Sequence, residues 1–155
     1  MKIVIDTREQ APYSFSGYDA LVQRATLDTG DYSIKGFETV VAVERKAPDD
    51  LMACLTRERE RFTRELDRLR GFHSAAIVVE MPFDYLGGGM YRSSMKPESA
   101  VQSVISIIEK YRMPIFFATT RKMGEFFTYH FLRHFARHTA EQLKAAMDAM
   151  GEDKH

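Results

Sequence analysis

Asp31, Glu44 and Lys46 are the residues of this chain whose types and spacing best suit chemistry. Glu44 and Lys46 stand two apart, so in an extended strand they share one face while Arg45 points to the other. Asp31 joins them if residues 31–35 and 39–44 pair as a hairpin around a turn containing Gly36. A turn centred between Phe37 and Glu38 pairs residues whose numbers sum to 75. Asp31 then faces Glu44, with Cβ atoms about 4.5–5.5 Å apart. Two carboxylates so close repel unless a positive charge lies between them. A hard divalent cation such as Mg²⁺ meets that need and keeps other positions for water and phosphate. Lys46 is placed to orient or deprotonate a water, or to stabilise charge developing on a phosphate. Together these groups suffice for in-line hydrolysis of a phosphodiester. Asp6, at the end of an earlier apolar strand, and Asp50 are further carboxylates for the same site.

The elements that must position these groups follow from the hydrophobic pattern. Residues 2–6 read as a buried strand, residues 10–18 as a loop, and residues 21–27 as a short extended piece. After the hairpin, Pro48-Asp49-Asp50 opens a helix expected to run to Arg70 and to stop at Gly71. Residues 75–80 form a second buried strand and residues 82–97 a glycine-containing loop. A helix from Pro97 to about Arg112 carries Val101, Val104, Ile105 and Ile108 at helical spacing, and residues 113–118 form a third short strand. Residues 122–150 are helical, with 151–155 a polar tail. Strands alternating with helices after an initial hairpin predict an α/β domain with a central mixed sheet flanked by helices, spanning residues 1–150 without repeat or linker.

An ordinary surface hairpin, with Lys46 simply pairing to Glu44, is the plain alternative. Gly30, which permits close backbone approach, and the apolar Val41 and Val43, which imply a buried strand where an unpaired acid is costly, weigh against it.

These residues carry a family resemblance. Leu27-Asp28-Thr29-Gly30-Asp31-Tyr32, then Val43-Glu44-Arg45-Lys46 with Asp50 four places after the lysine, resembles the signature of the XPF-type nucleases. Ile5-Asp6-Thr7-Arg8-Glu9 is similar to the family's opening strand. Arg61-Phe62-Thr63-Arg64-Glu65 is similar to its next helix, with Glu65 in the place of a glutamine. The likeness extends over residues 2–135. It implies a restriction-endonuclease-like fold, Mg²⁺ or Mn²⁺ dependence, and cleavage of branched or flapped DNA in repair, recombination or phage DNA processing. It also carries over Asp6, Arg8, Asp31, Glu44, Arg45, Lys46 and Asp50 as candidate site residues, with Asp31, Glu44 and Asp6 as metal ligands. Relatives often append a helix-hairpin-helix module; no such pattern follows residue 135, which favours a stand-alone bacterial or phage form.

Three other features bear on DNA and partners. Arg57, Arg61, Arg64 and Arg68 form a stripe opposite the apolar face of the helix after Pro48, suited to phosphate contacts or to a solvated face paired with its acids. Arg92 and Lys96 in the 82–97 loop are candidate phosphate contacts; its glycines lack a P-loop ending. His130, His134 and His138 recur every fourth residue beside Phe127, Phe131 and Phe135, which fits core or a homodimer contact through the C-terminal helix better than zinc.

Composition bounds the rest. The chain has 155 residues, 22 basic and 22 acidic, so net charge supplies no argument for nucleic acid. One cysteine, Cys54, precludes an internal disulfide. With no membrane-length apolar run or signal-peptide pattern, the expected location is the cytoplasm. The rival expectation is a non-catalytic DNA-binding or partner-recruiting module on the same fold.

Overall fold

A computed structural model describes residues 1–151; the remainder of the predicted polar tail lies outside the described residues. The elements in order are β1 (Lys2–Asp6), β2 (Leu21–Ala25), β3 (Tyr32–Ile34), β4 (Val41–Lys46), α1 (Pro48–Leu55), α2 (Arg59–Arg70), β5 (Ser74–Val79), α3 (Phe83–Gly87), α4 (Pro97–Tyr111), β6 (Ile115–Phe117) and α5 (Arg121–Met150).

The strands form one mixed sheet in the order β2-β1-β3-β4-β5-β6. β3 runs antiparallel to both β1 and β4, while β1–β2 and β4–β5–β6 are parallel. Tyr32 lies opposite Val43, which is the register summing to 75. Gly30 precedes β3 at φ +88°, and a Cβ built there would sit 2.8 Å from the Ala42 side chain, so glycine is needed twice over.

Period-two alternation along β4 decides what the site can reach. Ala42 packs with Leu51, Leu55, Phe62, Leu66, Ile77 and Val104 on the face covered by α1, α2 and α4. Val41 and Val43 pack with Ile3, Ile5, Val78, Leu132 and Phe135 on the face covered by α5. Central strands buried on both sides read as continuous apolar runs, which is why 75–79 and 41–43 lack polar alternation.

Two sequence expectations change, and two details appear that the pattern did not give. The helix over 49–70 is two helices. Thr56 leaves the helical region (φ −122°, ψ −101°) and its hydroxyl donates to Met52 O at 2.6 Å, so α1 ends and α2 begins at Arg59. The segment 82–97 is not loop throughout, since Phe83–Gly87 forms the short helix α3 around buried Leu86. On α4, Val104 is buried but Ile105 is 50% and Ile108 40% exposed; Ala100 and Tyr111 take the inward positions instead. The loop over 10–18 supplies two fully buried core residues, Tyr13 and Phe15.

α5 is capped by Thr120, whose side chain accepts from the Met123 amide, and residues 140–150 are exposed along their length.

Candidate active site

The C-terminal end of β4 and the start of β3 bring the predicted groups together. Asp31, Glu44, Lys46 and Asp50 line one cleft of about 430 Å³ with Arg8, Glu9, Gln10, Arg45, Cys54, Glu58, Arg61, Phe62 and Glu65. A second recess of about 210 Å³ shares Asp31, Glu44, Arg8, Arg61 and Glu65 and adds Asp6, Asp28, Thr29, Gly30 and Arg68.

Asp31 is fixed through the backbone. Its amide donates to Val43 O at 3.0 Å, its carbonyl accepts from the Asp6 amide at 2.9 Å, and its Oδ2 accepts from the Arg45 amide at 2.8 Å. Burial raises the Asp31 carboxyl to about 6, with the Glu9 and Glu65 charges adding and the Arg45 amide and Lys46 opposing. Glu44 is pushed well above the usual carboxylate range, first by burial and then by Asp31. The two are thus an electrostatically frustrated pair facing one cleft.

Lys46 stands on the same face as Glu44, as alternation requires. Its Nζ lies 3.2 Å from Glu44 Oε1 and 3.3 Å from Glu65 Oε1, and 5.3 Å from the centre of the Phe62 ring. Burial lowers its affinity for the proton, but Glu44 and Glu65 outweigh burial and hold it as an ammonium. Asp50, in the first turn of α1, borders the cleft from an exposed position.

Asp6 is buried and already engaged. Its Oδ1 accepts from the Leu27 amide at 3.0 Å and its Oδ2 from Arg8 Nε at 2.9 Å. The Arg8 side chain, 66% exposed, also donates to Leu27 O and so stands at the rim of the cleft. Of the stripe, Arg61 and Arg68 line the recesses; Arg57 and Arg64 are exposed outside them. Arg92 and Lys96, in the stretch before α4, do not line the cleft.

Arg45 points to the opposite face of the sheet, as expected from its parity. There it meets residues to which sequence reading gave no role. Glu9 takes two of its N–H groups, at 3.1 and 3.0 Å, and Glu80 takes a third. Arg121 Nη1 lies 3.5 Å from the same Glu80 carboxylate, to which Tyr13 also donates at 3.3 Å. Glu80 follows the end of β5, which runs parallel to β4, and its amide donates to Lys46 O, a neighbour that only the strand order reveals.

The donor set fits a hard divalent cation. Asp31 and Glu44 offer oxygen ligands only, both lose affinity for protons when a cation enters, and Mg²⁺ characteristically takes one or two protein carboxylates. Among the described residues, no group of three or more His, Cys, Asp or Glu is placed to hold a metal ion, so the fit rests on that pair.

The family model of the ERCC4 domain matches residues 5–131. The chain belongs to the ERCC4 domain family. Its fold is that of the XPF-type nuclease domains, which is restriction-endonuclease-like. XPF from Aeropyrum pernix is 20% identical with a TM-score of 0.70, over 86% of this chain and 60% of that one. XPF from Aeropyrum pernix in complex with DNA is 19% identical with a TM-score of 0.67, over 88% and 65%. This chain therefore spans less than two thirds of the solved chains it matches. No curated protein matches. Among the described residues no helix is long and apolar enough to cross a membrane.

Proposed function

We propose that this ERCC4 domain is a metal-dependent endodeoxyribonuclease. The observation that carries the reading is geometric: Asp31 and Glu44, both partly buried, line one open cleft with Lys46, whose Nζ lies 3.2 Å from Glu44 Oε1. Asp31 and Glu44 would hold Mg²⁺ or Mn²⁺, with Asp50 assisting from the edge of the cleft. A bound cation supplies Lewis acidity toward the scissile phosphate and lowers the pKa of an attacking water.

The protein's own groups do the rest. Lys46, kept charged between Glu44 and Glu65, acts as a fixed positive charge for the phosphate rather than as a base. Asp6 serves by holding Arg8 at the rim. Arg8, Arg61 and Arg68 contact backbone phosphates, which positions DNA without reading its sequence. Arg57, Arg64, Arg92 and Lys96 contribute only where a longer DNA arm extends past the cleft. Arg45 supports the site through its backbone amide, which holds Asp31.

One of the similar structures is a complex with DNA, and by that likeness the substrate is DNA. Branched or flapped forms, in repair, recombination or phage DNA processing in the cytoplasm, suit a nuclease that reads backbone shape. Two copies pair through α5, where Met123 and Phe126 are exposed and Phe127 and Phe131 half-buried.

The test is cleavage of labelled flap, fork and duplex DNA with Mg²⁺ or Mn²⁺, beside Asp31→Asn and Lys46→Ala. Cutting that both substitutions abolish in folded protein supports the reading. Binding of DNA without cutting would move the chain to a non-catalytic DNA-binding or partner-recruiting module.

A further inference from the structure

Glu9, Arg45, Glu80 and Arg121 come from the segment after β1, from β4, from the end of β5 and from the start of α5. They meet at the margin of the cleft, which Glu9 and Arg45 also line, as two guanidiniums and two carboxylates. The side chains of Arg45, Glu9 and Glu80 are only 11%, 7% and 11% exposed. Arg121 closes the group from outside. Its Nη2 donates to Ala11 O and Pro12 O at 2.7 and 2.9 Å, and its guanidinium lies 4.8 Å from the centre of the Tyr13 ring. Gly124 leaves room for that ring, because a Cβ there would lie 2.3 Å from the Tyr13 hydroxyl.

Buried ion pairs of this kind are poor sources of stability, since desolvation offsets the Coulombic gain. What this cluster does achieve is to immobilise Arg45 at three of its N–H groups. The Arg45 backbone amide is, among the described residues, the one hydrogen-bond donor to the Asp31 carboxylate, at 2.8 Å. Fixing the side chain on one face of β4 therefore fixes the orientation of a proposed metal ligand on the other.

We propose that Glu80 and Arg121 are positioning residues that set the divalent-cation affinity of Asp31 and Glu44 through Arg45. The inference rests on the reading of Asp31 and Glu44 as metal ligands. It assigns to α5, far in sequence from the signature, a role in the active centre. Outer partners that orient a ligand typically change metal affinity by about 10–100-fold when removed.

The experiment measures Mn²⁺ binding to the full chain by the loss of the free-ion paramagnetic resonance signal, well below the unfolding temperature of every variant. Wild type, Asp31→Asn, Glu80→Gln, Arg121→Met, Arg121→Lys and a core control, Leu132→Ala, are compared. The expected result is Mn²⁺ binding by wild type, its loss in Asp31→Asn, and affinities weakened about tenfold in Glu80→Gln and Arg121→Met. Arg121→Lys should recover part of the loss, and Leu132→Ala should melt earlier yet bind Mn²⁺ as wild type does. If Glu80→Gln does not fold, Arg121→Met carries the test, because that side chain is 47% exposed and its removal spares the Arg45–Glu80 pair. Wild-type affinity in both network variants, or an equal loss in Leu132→Ala, overturns the proposal while leaving the metal reading intact. Mn²⁺ binding by Asp31→Asn equal to wild type, or none by wild type, overturns the metal reading and this inference with it.

Discussion

Replacing Asp31 by asparagine should abolish cleavage while making the metal-free protein more stable. The carboxyl is raised from 3.8 to about 6, chiefly by burial. Between about pH 4 and pH 6 the folded chain therefore binds more protons than the unfolded chain. Its stability is highest below that window and is lost as the pH rises through it. Fully ionised at pH 8, Asp31 costs the folded state about 3 kcal/mol, and Glu44 beside it suffers from the same charge. Asparagine keeps an oxygen for the Arg45 amide and removes the charge. For a domain of this size about 3 kcal/mol corresponds to roughly 6–12 °C in melting temperature. The assay is calorimetry of both proteins in EDTA between pH 8 and pH 4.5. The variant should melt higher at pH 8, and the gap should close toward pH 4.5. Saturating Mg²⁺ at pH 8 should raise wild type selectively, by about 2.7 kcal/mol at a hundred times its Kd. A variant that melts at or below wild type at pH 8, or a gap that does not change with pH, would refute the electrostatic account of the site.

Glu65→Gln keeps a hydrogen-bonding group beside Lys46 but removes one of the charges that, after burial and Asp31, raise Glu44. The acidic limb of the pH–rate profile should then move to lower pH; an unmoved or alkaline-shifted limb would count against it. Gly30→Ala should cost about 1–3 kcal/mol in urea unfolding, from strain at φ +88° and contact with Ala42, and should reduce cleavage by displacing Asp31. Arg61→Ala and Arg68→Ala should each weaken DNA binding and lower the salt slope by about 1 in filter binding across NaCl concentrations. Arg57→Ala and Arg64→Ala, outside the recesses, should change neither on a DNA too short to extend past the cleft.

The parts legible in the sequence are those governed by local periodicity. Parity along β4 places Glu44 and Lys46 on one face and Arg45 on the other, and the turn around Gly36 sets a register that Tyr32 and Val43 keep. Both depend on nothing beyond the hairpin. The division of the helix after Pro48 was not legible, because its apolar residues Leu51, Leu55, Phe62, Leu66 and Leu69 keep helical spacing across the break. Only the Thr56 backbone, with its hydroxyl turned to Met52 O, reveals the interruption. The exposure of Ile105 and Ile108 was likewise hidden, since periodicity gives the width of an apolar stripe and not how much of it the fold covers.

The Arg45 cluster was illegible for a different reason. Its partners lie 36 and 35 residues away along the chain, in Glu9 and Glu80, and no spacing rule joins charges at such distances. What brings them together is strand order. Because β4 and β5 are parallel, residues after their C-terminal ends meet, and because β1 neighbours β3, the segment after β1 arrives at the same end of the sheet. The signature residues are thus readable as a motif because β3 and β4 are adjacent in sequence as well as in space. Their supports are readable only once the sheet is known. If the supports set the affinity of the carboxylate pair, the informative length of this site is not the twenty residues from Asp31 to Asp50 but the span from Asp6 to Arg121.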